Sequence, residues 1–284
     1  MASMQSRPTR RGLARLLGAL GAGGLATLTE PYRPQQVEQE LALRDLPPSF
    51  DGLRVALLAD LHLQRAFPAV ALAPGLALAA AARPDLLLLV GDYCWDRESG
   101  QAATLSECAA LLAPLAQRCP LGAFCVFGNH DFPEPPADPD RGPWEAAGIR
   151  PLLDEAVALR RGGEHIYLVG MRSAISRPVS PVSVLAQAPS GACRIALWHE
   201  PDRAPEVQRG GASLLLCGHT HGGQLALPGL GPLRLPVLGQ RYPGGLYWLG
   251  PMPLYVTRGL GVLPPRLRFC CPPEVTLLTL RRAA

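Results

Sequence analysis

Five of the six histidines in this chain stand just beyond apolar runs, in company with carboxylate or amide side chains. Asp60-Leu61-His62 follows Leu53–Ala59, Gly91-Asp92 follows Leu86–Val90, and Gly128-Asn129-His130-Asp131 follows Gly122–Phe127. His199 closes the run Arg194–Trp198, and Gly218-His219-Thr220-His221 closes Ser213–Cys217. His165, the sixth, has no such setting and reads as an ordinary surface or strand-edge residue. Carboxylate, imidazole and amide oxygen make a mixed nitrogen and oxygen donor set. Such a set suits Mn, Fe, Zn, Co or Ni rather than calcium or a thiolate-bound structural zinc. Two four-donor sites drawn from Asp60, His62, Asp92, Asn129, His199, His219 and His221 need one shared ligand, and a carboxylate can bridge. Two ions about 3.5–4 Å apart can share and acidify one hydroxide, and can clamp the entering and departing oxygens of a phosphoryl group. His130, beside Asn129, is then free to face a substrate as a proton donor. Each short motif alone is a weak signal; the ordered set, each member after an apolar run, carries the reading.

These residues need strands to deliver them. The five preceding runs are apolar enough to be buried strands, and Ala69–Ala82 and Ala103–Gln117 suit helices despite Pro74 and Pro114. Alternating strands and helices predict an α/β fold, with ligands gathered outside the carboxyl ends of the strands. Ile166–Met171, Leu254–Arg258 and Val275–Leu280 add strands without obvious helices between them, which predicts a second sheet and a layered sandwich. The polar stretch Pro31–Gln39 reads as a linker, so residues 1–34 are expected to be leader and linker and residues 35–284 a single domain.

With 284 residues, 48% of them hydrophobic and 18% charged, the chain can bury a full core. Every basic residue is an arginine. Arg7, Arg10, Arg11 and Arg15 precede the first acid and account for the whole net charge of +4. The remainder is balanced, which argues against a nucleic-acid partner, because phosphate contacts demand a basic excess. Eight cysteines show no CxxC spacing, and several lie inside apolar runs, so they read as core filler rather than a disulfide framework. Thr9-Arg10-Arg11-Gly12-Leu13 before a Gly/Ala-rich stretch resembles a twin-arginine export signal. The uncharged run Leu16–Thr29 has 14 residues, too few to cross a bilayer as a helix. The expectation is a periplasmic or extracytoplasmic protein. The alternative is a leader resting on the cytoplasmic face of the inner membrane.

Taken together, the D-x-H, G-D, G-N-H-D, H and G-H-T-H blocks resemble those of the calcineurin-like metallophosphoesterases, over about residues 50–280. Within that superfamily, four segments are similar to the bacterial twin-arginine-exported phosphoesterases and their relatives that hydrolyse UDP-2,3-diacylglucosamine. These are Leu46–Gly52, Gly218–Gln224, Tyr255–Gly261 and Arg268–Glu274. The resemblance implies a four-layer αββα sandwich of two mixed β-sheets. It also implies two divalent transition ions, one held by Asp60, His62, Asp92 and His221 and the other by Asp92, Asn129, His199 and His219. His130 would stabilise the transition state and protonate the leaving oxygen. Some relatives carry an acid or histidine to orient it three residues after the bridging aspartate. Here that position is Trp95, so Asp96 or Asp131 is the candidate partner, and Arg97 a candidate for the substrate phosphate. The expected activity is hydrolysis of a phosphomonoester or phosphodiester by in-line attack of a metal-bridging hydroxide, in a monomer. One alternative is a pyrophosphohydrolase acting on UDP-2,3-diacylglucosamine, a lipid- or envelope-derived substrate, with Leu225, Leu227, Leu230 and Leu233 as its apolar surface. The non-enzymatic alternative is a metal-binding scaffold. Selection among substrates would fall to the loops Phe132–Pro143 and Gly222–Tyr247.

Overall fold

The apolar runs become the inner strands of two six-stranded sheets. The structure is a computed structural model, describing residues 24, 27–64, 66–95, 105–132 and 137–283. The first sheet runs in the order β1 (Gln35–Leu43), β14 (Glu274–Arg282), β2 (Leu53–Leu58), β3 (Leu86–Val90), β4 (Ala123–Val126), β5 (Ile149–Pro151). The second runs β12 (Gly245–Leu249), β13 (Met252–Val256), β9 (Leu214–Cys217), β8 (Arg194–Leu197), β7 (Glu164–Gly170), β6 (Glu155–Arg161). Both sheets are mixed. β2 to β5 are parallel and β14 lies antiparallel to β2, while β7, β8, β9 and β13 are parallel between the antiparallel edges β6 and β12. β3, β4, β8 and β9 are buried along their whole lengths, which is why they read as unbroken apolar runs rather than alternating ones.

Successive side chains of β3 point to opposite faces and enter different cores. Leu87 and Leu89 face helices α1 (Ala69–Ala81), α2 (Leu105–Ala116) and α3 (Gly142–Ala146). Leu86, Leu88 and Val90 meet Leu168, Ile195, Leu197, Leu214 and Leu216 of the second sheet. On that sheet's far side, Val169, Ala196 and Leu215 pack against α4 (Pro181–Leu185) and α5 (Ala204–Arg209). Helix, sheet, sheet and helix make the expected four layers.

One reading needs correction. Within the expected linker Pro31–Gln39, Gln35 opens a nine-residue strand that pairs in parallel with β14, from Gln35 beside Glu274 to Leu43 beside Arg282. Its polar look comes from its place at the sheet edge, where mainly Leu41 and Leu43 are buried. Upstream, the Glu30 carboxylate accepts the Cys270 and Cys271 amides at 3.1 and 2.6 Å, and the Tyr32 ring lies 5.6 Å from Phe67. The arginines of the leader lie outside the described residues. Among those described, no helix is long and apolar enough to cross a membrane. Seven of the eight cysteines are buried, Cys270 is exposed, and all are free thiols. His165 lies exposed on β7 opposite Arg160.

Candidate metal centre

The site lies where β2, β3, β4, β8 and β9 end, because each strand is followed at once by a sharp turn. Asp60, His62, Asp92, His219 and His221 all hold left-handed backbone conformations, with φ between 44° and 75°. Non-glycine residues rarely adopt that region, and it costs of order 1–3 kcal/mol each. At these positions it swings the side chains off the strand axis and into one pocket. Gly91 and Gly128 make the pocket possible: a side chain on Gly128 would collide with the Asp92 carboxylate, and one on Gly91 with the backbone of Gly128 and the ring of His199.

Two groups of donors result, Asp60 with His62 and His221, and Asp92 with His199 and His219. Within each group the ligand atoms lie within 4.8 Å of one another, and all six residues are buried. His62 Nε2 and His221 Nε2 are 2.9 Å apart, and His221 Nε2 stands 3.4 Å from Asp60 Oδ1. Asp92 Oδ2 reaches both groups, 3.1 Å from His199 Nε2 and 3.6 Å from His62 Nε2. The rings are aimed from behind. His199 Nδ1 meets the Val90 carbonyl at 2.6 Å and His219 Nε2 the Val237 carbonyl at 2.8 Å, so the opposite nitrogen of each ring is the one left for the pocket. Both oxygens of Asp60 accept the His219 amide, at 3.1 and 3.0 Å, and Asp92 Oδ1 accepts the His130 amide at 2.9 Å. Asn129 sits in the same turn, its side-chain oxygen buried.

The electrostatics fit a cation. Burial, reinforced by the Asp92 charge, pushes the Asp60 carboxyl up to about 8, and burial brings His62 down to about 3. Burial likewise lowers His221 and His219, with neighbouring positive groups adding to the effect. Burial acts to raise Asp92, but the charges of His199 and His130 outweigh it and hold the carboxylate well below its usual range. The Asp92 carboxylate in turn raises His199 well above its usual value, against the effect of burial. Neutral imidazoles at His62, His219 and His221 and two crowded buried carboxylates are costly alone and are relieved together by divalent ions.

His130 and Asp131 part company. The His130 ring stands edge-on to Trp95 at 4.5 Å and to His62 at 5.5 Å, at the rim of the donor groups. Trp95, three residues after Asp92, thus presents an aromatic ring to His130. Asp131, the candidate among the described residues for orienting His130 in catalysis, does not reach it through its carboxylate in any contact the structure shows. Its carboxylate is instead taken up by three backbone amides, those of Asp92 and Gly128 at 2.8 Å and Tyr93 at 2.9 Å. It fastens the β3 and β4 turns to each other. Asp96 and Arg97 lie outside the described residues.

The motif reading missed two supporting side chains. Arg268 is fully buried, and its guanidinium donates to the carbonyls of Arg258 (2.9 Å), Gly261 (2.7 Å) and Cys271 (3.0 Å), with His221 Nδ1 3.5 Å away. It belongs to the Arg268–Glu274 segment already singled out, but its partners are main-chain atoms that leave no mark in side-chain spacing. Glu200, also fully buried beside His199, accepts from the Ser173 hydroxyl and from the Ala174 amide at 3.0 Å. Of the leucines expected to form an apolar surface, Leu227, Leu230 and Leu233 are exposed, Leu230 at 83%, and Leu225 is half-buried; they lie on or beside the hairpin of β10 (Ala226–Leu227) and β11 (Gly231–Pro232), and Val237 further on is exposed as well.

Comparison with known proteins agrees with this geometry. The family profile described as calcineurin-like phosphoesterase matches residues 53–223. The chain is 29% identical to the metallophosphoesterase YkuE of Bacillus subtilis, over 98% of this chain and 99% of that one. It is 34% identical to the phosphodiesterase YaeI of Escherichia coli, over 80% and 82%. It is 25% identical to the UDP-2,3-diacylglucosamine pyrophosphatase LpxG of Chlamydia trachomatis, over 82% and 86%.

Proposed function

The chain belongs to the calcineurin-like phosphoesterase family and is thus a metal-dependent phosphoric ester hydrolase; from that premise we propose which residues do the work and on what. One divalent transition ion would be held by Asp60, His62 and His221 with Asp92 shared, and a second by Asp92, His199 and His219 together with Asn129 of the neighbouring turn; the two buried triads are the core of each set. The observation that carries this assignment is Asp92 Oδ2, which faces an imidazole of each donor group. When bound, such a pair supplies Lewis acidity to a phosphoryl group and acidifies water. The chain's own groups do the rest. Val90 and Val237 carbonyls fix the ring orientations, and Asp131 and Arg268 hold the turns. His130, with its amide tied to Asp92 Oδ1 and its ring braced by Trp95, hands a proton to the leaving oxygen. Activity on bis-p-nitrophenyl phosphate or a phosphomonoester should vanish with chelator and return with Mn²⁺. Asp92→Asn should lose bound metal and activity together; full metal content with full rate in that variant would refute the assignment.

A second reading concerns the substrate. The exposed leucines of the β10–β11 hairpin stand on the stretch that ends at Val237, whose carbonyl holds His219. Val237, itself exposed and apolar, touches the site through that carbonyl, so this stretch favours a phosphoester with a lipid part, and the LpxG likeness supports UDP-2,3-diacylglucosamine as one candidate. Release of UMP from that substrate, with the protein found on the cytoplasmic side by fractionation, is the expected result. A periplasmic product would exclude this substrate, while agreeing with export through the leader.

A further inference from the structure

Behind the loop that carries Asp92 lies a pair of thiols that the donor groups do not use. Cys94 Sγ and Cys108 Sγ are 3.1 Å apart, closer than unbonded sulfurs ordinarily approach. Cys94 belongs to the loop after β3, where it bridges to Leu63, and is 8% exposed. Cys108 lies in the first turn of α2, is fully buried, and also meets the Tyr93 carbonyl at 3.4 Å. An approach of roughly 1 Å separates this arrangement from a covalent S–S bond. The remaining buried thiols, such as Cys119, Cys125, Cys193 and Cys217, are dispersed through the core clusters as the sequence suggested.

We propose that Cys94 and Cys108 form a reversible disulfide by exchange with a small-molecule or protein disulfide. Cys94, the more exposed, attacks one sulfur of the oxidant, forming a mixed disulfide and releasing one thiol. Cys108 then attacks the Cys94 sulfur, forms the internal bond and releases the second thiol. Two protein thiols become one disulfide, the oxidant is reduced to two thiols, and the two cysteine protons pass to the departing sulfurs. The bond ties the loop from Asp92 to Trp95 to helix α2. Trp95 follows Cys94 directly and its ring bounds His130, so the cross-link restrains the wall of the candidate site.

The inference stands apart from the hydrolase reading, and its test needs no turnover. The full-length protein, reduced and then given oxidised glutathione, should lose about 2 Da in intact mass. Its free thiols should fall from eight to six. Peptide mapping should join the Cys94 and Cys108 peptides, and reductant should restore both thiols. The oxidised form should melt at higher temperature, and the Cys94→Ser/Cys108→Ser double variant should show no oxidant-dependent shift. Cys108→Ser, or Cys108→Ala if the serine is poorly tolerated, should stop at glutathione attached to Cys94. An unchanged thiol count, a bond mapped to other cysteines, a persistent glutathione adduct in the wild type, or melting indifferent to oxidation would each overturn the proposal.

Discussion

His130 and Asp131 are adjacent in sequence and have separate tasks in the structure. Replacing His130 with alanine removes a ring at the rim of the site and leaves the donor groups and their supporting carbonyls in place. The variant is expected to keep both metals by elemental analysis and to lose about 10²- to 10⁴-fold in kcat. Asp131→Ala leaves three amides without their acceptor, at about 1–3 kcal/mol for each that stays buried and unpaired. Its expected signature is a lowered urea midpoint, with metal content falling because the β3 and β4 turns come apart. The contrast shows what sequence can and cannot reveal at this scale. Donors for a cation are legible, since carboxylate and imidazole at strand ends have little other reason to recur. Asp131 and Arg268 work on main-chain amides and carbonyls, which every residue possesses, so no residue type nearby points to them.

Among the elements, the turns do more than the strands to define the site. Inner strands were readable because burial on both faces demands unbroken apolar runs. β1 was not, because an edge strand with one solvated side looks like a linker. The turn after β4 depends on space at Gly128, where any side chain meets the Asp92 carboxylate and amide. Gly128→Ala is expected to displace Asp92 and to reduce metal retention on dialysis by at least about tenfold, with near-native circular dichroism. Retention equal to wild type would show that the turn yields. The same tightness explains why a one-residue change in that turn should be felt in both donor groups, since Asp92 faces each of them.

At the scale of the molecule, the donors come from both sheets. β2 and β3 supply Asp60, His62 and Asp92, while β8 and β9 supply His199, His219 and His221, and each donor group draws on both sets. Bound ions would therefore join the sheets at the end where the core between them stops. A metal present at 100 times its dissociation constant adds about 2.7 kcal/mol to stability by mass action. Calorimetry should accordingly show a lower melting temperature after chelation, restored by Mn²⁺; identical curves would mean that the sheets hold without it. The five ligands in left-handed conformations carry one more implication. Glycine would sit at those positions without strain, but it would remove the buried donors whose bound ions join the sheets, so the backbone cost and the metal-derived stability are set against each other at the same five residues.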